Sequence, residues 1–169
     1  LQGLGLEPGA RVAIMLPNVP QFGVTMAAVL RAGYTCVNVN PLYTARELEH
    51  QLKDSGATAI VILENFAHTL SEIIEHTAVQ QVVMASMGDL LGAVYGPWIT
   101  FAVRHLAKMV PTYELPLSNG RKVVSFKKAL ALGERRTLAP SQATLDSIAF
   151  LQYTGGTTGL SKGAVLTHR

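Results

Sequence analysis

Short, nearly uncharged runs of β-branched and aliphatic residues recur along this chain, each followed by a turn or a segment of helical character. That alternation restricts the fold more than any other feature. Residues 11–16 (Arg11-Val12-Ala13-Ile14-Met15-Leu16), 35–39, 58–63, 81–85 and 146–153 read as strands. Their near-continuous apolar character, rather than strict in-out alternation, is that of strands buried on both faces. Residues 21–31, 44–54 and 66–76 read as helices between them. Strands and helices alternating at this length predict an α/β fold: a parallel sheet flanked by helices.

Punctuation along the chain agrees. Pro17, Asn18 and Pro20 interrupt the uncharged stretch 12–30, so it reads as strand, turn and helix rather than as a membrane span. Gly33 stops that helix. Thr44 and Glu47 form a capping-box pattern at the start of the next helix, which Gly56 closes. Cys36 is the only cysteine, so an internal disulfide is excluded. With no base patterned beside it, Cys36 reads as a small buried hydrophobe rather than a nucleophile.

Residues 88–140 differ and are expected to be a variable, linker-like or membrane-facing region. Gly92, Gly96, Pro97 and Pro111 lie among large apolar residues. A helix over 98–109, with Arg104, His105 and Lys108 on its flank, reads as a surface helix packed on the domain or as an interfacial segment touching acidic lipid. Residues 118–140 read as a solvated basic connection holding a short strand within 123–128 and a helix over 126–132. Its cations, Arg121, Lys122, Lys127, Lys128, Arg135 and Arg136, lack interleaved aromatics, so no nucleic-acid partner is expected. The net charge of +3 is too small to point to a partner.

The chemistry is concentrated in Tyr153-Thr154-Gly155-Gly156-Thr157-Thr158-Gly159-Leu160-Ser161-Lys162-Gly163. Glycines let successive backbone N–H groups converge on one point. Thr154, Thr157 and Thr158 add hydroxyls, and Lys162 adds a mobile positive charge suited to phosphate oxygens. A Walker A loop is excluded, since Ser161 precedes Lys162 and Gly163 follows it. Residues 164–167 read as a strand, so the loop is expected to join two strands.

Residues 151–169 resemble the phosphate-loop signature of the adenylate-forming superfamily, and Thr-Gly-Gly-Thr-Thr-Gly followed by Lys-Gly-Ala and Leu-Thr-His-Arg is similar to bacterial long-chain fatty-acid:CoA ligases. Upstream, residues 6–18, 28–33, 37–44 and 47–52 continue the likeness. Where many members carry proline before the loop lysine, this chain has Ser161, a trait of the long-chain subgroup. The chain opens on Leu1 without a secretory-signal pattern and closes on His168-Arg169 just past the motif. It is therefore expected to be part of the N-terminal, AMP-binding domain of a longer protein.

The resemblance implies ATP, Mg²⁺ and CoA as the small molecules handled, with a fatty acid as substrate. A carboxylate attacks the α-phosphate to give an acyl-adenylate and pyrophosphate, and the CoA thiol then displaces AMP. Tyr153, Thr154, Gly155, Gly156, Thr157, Thr158, Gly159, Lys162 and Gly163 would meet the ATP phosphates. Thr154 would also touch the Mg²⁺ shell, and Lys162 would act catalytically by balancing charge on departing pyrophosphate. His168 reads as a packed or exposed histidine at a strand end, with proximity to the substrate carboxylate as the other reading. The rest of the nucleotide site, including a catalytic lysine, would lie downstream, so this piece alone is expected to show no ligase turnover. The resemblance is compatible with a cytoplasmic enzyme, peripheral on the inner face of the cytoplasmic membrane, and with a homodimer. Activation of an aryl or amino acid, and a non-catalytic membrane-associated module, are the alternatives.

Overall fold

The structure is a computed structural model that describes residues 1–154 and 161–169. The first strand, β1 (Arg11–Met15), leads into helix α1 (Pro20–Arg31), β2 (Thr35–Asn38), α2 (Ala45–Ser55) and β3 (Ala59–Leu63). Then come the short α3 (Ala67–Ser71), β4 (Gln81–Ala85), α4 (Gly92–Phe101), β5 (Lys122–Ser125), α5 (Phe126–Glu134), β6 (Ile148–Thr154) and β7 (Lys162–Thr167). The strands form one seven-stranded sheet in the order β5-β4-β3-β1-β2-β6-β7. Every neighbouring pair is parallel except β6 with β7.

The expected α/β sheet is therefore present, with an antiparallel strand added at one edge. The chain steps one way from β1 to β2 and the other way from β2 through β3 to β4. Right-handed crossovers then require helices on opposite faces. Leu48 and Leu52 of α2 and Leu70 of α3 pack with Ala13, Val37, Ile60 and Leu151 on one face. Val29 of α1 and Phe126 of α5 pack with Val12, Ile14, Cys36 and Val61 on the other. The caps are as expected: Thr44 and Glu47 close a full capping box, and Gly56 ends α2 at φ 62°.

Three local expectations are corrected. Residues 66–76 do not form one helix; α3 is flanked by 3-10 turns over Glu64–Phe66 and Ile74–His76. The Ser71 hydroxyl donates to the His68 carbonyl at 2.7 Å and the Thr77 hydroxyl to the Ile74 carbonyl at 2.9 Å. Both compete with regular helical bonding. Ile73 and its neighbour Ile74 are also both buried, which tightens the chain there.

The central helix begins not at Trp98 but at Gly92, runs through Pro97, and continues as a π-helical turn over Ala102–Leu106. Gly96 is not a breaker here. A Cβ on Gly88 would collide with the Gly96 carbonyl oxygen, so the two glycines let a loop and a helix backbone touch.

The third correction concerns Arg121 alone: the stretch after residue 118 holds the expected short strand and helix as β5 and α5, but this cation is not solvated. Arg121 is only 4% exposed. Its guanidinium donates to the carbonyls of Val79 (3.1 Å), Pro116 (2.7 Å) and Ile74 (3.3 Å). A planar fork of donors satisfied by carbonyls in this way pins β5 against β4.

Candidate functional site: the mouth of the β6–β7 hairpin

Thr154 ends β6, Lys162 begins β7, and the two are direct register partners. Tyr153 pairs with Gly163 and Gln152 with Ala164. Side chains alternate across a strand, and directly opposed residues share a face. Tyr153 belongs to the core beneath α2. Thr154 and Lys162 therefore project together on the opposite face, at the C-terminal edge of the parallel strands. Crevices at that edge are where α/β sheets bind ligands. Both residues are exposed. A hydroxyl and an ammonium thus stand side by side where the chain enters and leaves the loop. Gly155, Gly156, Thr157, Thr158 and Gly159 lie outside the described residues.

The hairpin is held from below by α2. The Tyr153 hydroxyl donates to Asp54 Oδ2 at 2.5 Å, and burial, followed by that carboxylate, pushes the phenol well above its ordinary range. His50 Nε2 lies 3.4 Å from the Ser161 carbonyl oxygen. Gln51, fully buried, donates from Nε2 to the Asn38 carbonyl at 2.7 Å. One helix therefore grips β2 and both legs of the hairpin. On the other face the Asn38 amide donates to Gln152 Oε1 at 2.7 Å, which locks β2 to β6 just below Thr154. A Cβ on Gly163 would sit 3.0 Å from the Tyr153 ring, so a glycine there lets the two strands close on that ring.

His50, Gln51 and Asp54 were not among the residues expected from the motif. The signal was present: Gln51 interrupts the Leu48–Leu52 apolar stripe of an amphipathic helix, and a buried polar residue needs a partner. His168 lies at the far end of β7 with its backbone N–H on the Ser147 carbonyl. Strand rise puts it about 20 Å from Lys162, in keeping with its reading as an exposed strand-end histidine. Cys36 is fully buried, with its thiol pushed up to about 12 by desolvation, which suits an inert packing residue.

Among the described residues no cluster of His, Cys, Asp or Glu could hold a metal ion. Thr154 offers one neutral hydroxyl. That set fits a Mg²⁺ carried in on nucleotide phosphates and water, the usual manner for this ion, and not a resident cage. A cleft of about 640 Å³ at the other end of the sheet is lined in part by Arg11, Thr35, Ser147 and Ile148, and does not reach the hairpin mouth.

Comparison with known proteins agrees with this architecture. The long-chain-fatty-acid–CoA ligase of Salmonella typhimurium is 52% identical over 168 residues, covering 99% of this chain and 29% of that protein. The ligase of the same description from Haemophilus influenzae is 47% identical over 163 residues, 96% of this chain and 28% of the relative. The crystal structure of a long-chain-fatty-acid-CoA ligase from Archaeoglobus fulgidus superposes with a TM-score of 0.63 at 26% identity, over 99% of this chain and 27% of that one. The chain thus spans under a third of the length of these relatives. The AMP-binding enzyme family itself matches without interruption from residue 1 to residue 169, and the chain belongs to that family.

Proposed function

We propose that this chain, as part of a longer polypeptide, forms the triphosphate-gripping portion of an ATP-dependent ligase that activates a long-chain fatty acid and transfers it to CoA. The observation that carries the reading is the pairing of Thr154 with Lys162 at the mouth of a Gly/Thr-rich hairpin, in a chain 52% identical to a long-chain-fatty-acid–CoA ligase. The chemical obstacle in carboxylate activation is charge, because an anion must approach a polyanion. Backbone N–H groups and hydroxyls over residues 154–159 would wrap the β- and γ-phosphates. Lys162 would neutralise charge as pyrophosphate departs, at a position fixed before reaction begins. Mg²⁺ would enter with the nucleotide and offset phosphate charge, with the Thr154 hydroxyl at its shell. CoA would take up the acyl group in a second half-reaction to which the hairpin contributes little.

The test separates the two half-reactions in the full-length protein. Lys162→Ala is expected to slow adenylate formation by about 10²–10³, the scale of losing one preorganised charge-stabilising donor. Thioester formation from supplied acyl-adenylate should change far less. Equal slowing of both halves would refute the role given to Lys162.

A further inference from the structure

Helix α4 is apolar on every side, yet of its ten residues only Gly96 is buried. Val94 is 74% exposed, Tyr95 73% and Trp98 60%. Phe101, Leu106 and Met109 extend the same strip along the π-helical turn and past it. Such a helix normally lies inside a large protein or against a membrane. The aromatic rings stack in sequence along it, with Trp98 to Phe101 at 5.9 Å and Phe101 to His105 at 4.9 Å between centroids.

Between Asp89 and Glu114 the chain has no carboxylate, only Arg104, His105 and Lys108. The Arg104 guanidinium is taken up by the buried carboxylate of Glu64, 2.5 Å away, which anchors the π-helical turn to the sheet end of β3. Lys108 is exposed beside Met109, while the Lys127 ammonium, 3.7 Å from a Cβ built on Gly96, faces the Asp89 carboxylate at 4.0 Å. An apolar strip with the exposed Lys108 at its margin and no carboxylate of its own is complementary to an anionic bilayer surface. Helix and turn together span about 22 Å, long enough to lie along the interface. No helix among the described residues is long and apolar enough to cross a membrane.

The other candidate cover is the remainder of a longer chain. The sheet offers it two open edges, β7, where Val165 and Leu166 are exposed, and β5, where Val123 is exposed. α4 follows β4, five strand positions from β7 in the sheet order, or about 24 Å.

We infer that the α4 strip is a docking surface for anionic phospholipid, with Trp98 and Phe101 entering the headgroup–acyl boundary and Lys108 meeting the headgroups. This surface is separate from the hairpin mouth, and the inference does not depend on the ligase reading.

The test uses the full-length protein and two vesicle preparations, one of phosphatidylglycerol with phosphatidylcholine and one of phosphatidylcholine alone. Sedimentation with the anionic vesicles is expected to be stronger and to weaken with salt. Trp98→Ser with Phe101→Ser is expected to lower partitioning at least about tenfold, since interfacial binding scales with apolar area. Lys108→Glu should flatten the salt dependence. The far-ultraviolet circular dichroism and melting temperature of each variant should match the parent, reporting that the fold is intact. Hydrogen exchange over residues 92–106 should be slowed by anionic vesicles. Unchanged partitioning of the serine variant would overturn the inference. So would exchange already slow without vesicles, which would mean that other parts of the polypeptide cover α4. A dimer that the serine variant dissociates would overturn it in favour of a second copy.

Discussion

The Tyr153–Asp54 contact beneath the hairpin is asymmetric, and the asymmetry can be measured. Tyr153 is 8% exposed, whereas Asp54 is exposed. Tyr153→Phe removes the hydroxyl and leaves a carboxylate that water rehydrates at once. Its cost is the net worth of an ordinary hydrogen bond, since water solvates the acceptor, about 1 kcal/mol. Asp54→Ala instead leaves a phenol buried without an acceptor, which costs about 2 kcal/mol. Once Tyr153→Phe has been made, no hydroxyl is left to strand, so adding Asp54→Ala should be close to neutral. The coupling between the two sites is therefore expected to be about 2 kcal/mol, well above the additivity limit for independent residues. In thermal unfolding of the 169-residue chain, Tyr153→Phe should lower the midpoint by about 2–4 °C and Asp54→Ala by roughly twice that, with the double variant close to Tyr153→Phe. Because Tyr153 pairs with Gly163, the residue after Lys162, the same variants of the full-length protein should raise KM for MgATP. Thioester formation from supplied adenylate should be spared. Asp54→Ala costing the same with and without Tyr153→Phe would refute the clamp, since a carboxylate acting only as surface charge has no reason to sense the phenol.

Two further predictions come from packing. Burial holds the Cys36 thiol protonated to about pH 12 in the folded chain, while an unfolded thiol ionises near 8.5. The folded value is raised, so this contribution is intact below about pH 8.5 and is lost as pH rises toward 12, at about 1.4 kcal/mol per unit. Urea midpoints between pH 7 and 10.5 should fall more steeply for the parent than for Cys36→Ala. The second prediction contrasts two glycines: Gly88→Ala drives a Cβ into the Gly96 carbonyl and within 2.6 Å of Thr100 Oγ1, so α4 must lift, at about 1–3 kcal/mol. Gly133→Ala meets nothing within 4 Å in α5 and should stabilise by about 0.5–1 kcal/mol. Opposite shifts in melting temperature are expected, and shifts of the same sign would show that the Gly88–Gly96 approach is not tight.

What could be read in the sequence was what local rules decide. The runs at Val12, Cys36, Ile60 and Val82 had to be strands because nothing else buries β-branched residues on both sides, and Thr44, Glu47 and Gly56 set the limits of α2 through bonds they make themselves. The join of two strands by the Gly/Thr loop was also legible, because residues 164–167 are β-branched and apolar enough to pair. Two of the misses depend on a partner distant in sequence. Arg121 looked solvated because its acceptors are carbonyls of Ile74, Val79 and Pro116, and carbonyls leave no mark in a sequence. The Tyr153–Asp54 and His50–Ser161 contacts cross 99 and 111 residues, and no spacing rule reaches that far.

Helix α4 failed for a different reason. Gly96 and Pro97 lower intrinsic helicity, and an isolated segment with both would be expected to break there. The structure keeps the helix because Gly96 is needed for contact with Gly88 and because Arg104 ties the following turn to Glu64. Two point attachments hold a helix whose remaining surface gains nothing from the domain. Sequences that specify one structure generally have local preference and burial pointing the same way. Here a segment with two weak helix formers leaves Trp98, Tyr95 and Val94 in water, forgoing roughly 1.5 kcal/mol or more for each large side chain left unburied. The described residues bring nothing to cover them. A surface from outside these residues would, and the strip of aromatics bounded by Lys108 has the chemistry of a lipid headgroup boundary. The hairpin mouth and α4 thus divide the molecule: one end of the sheet order presents the Thr154 hydroxyl and the Lys162 ammonium, the other an apolar strip with Lys108 at its margin.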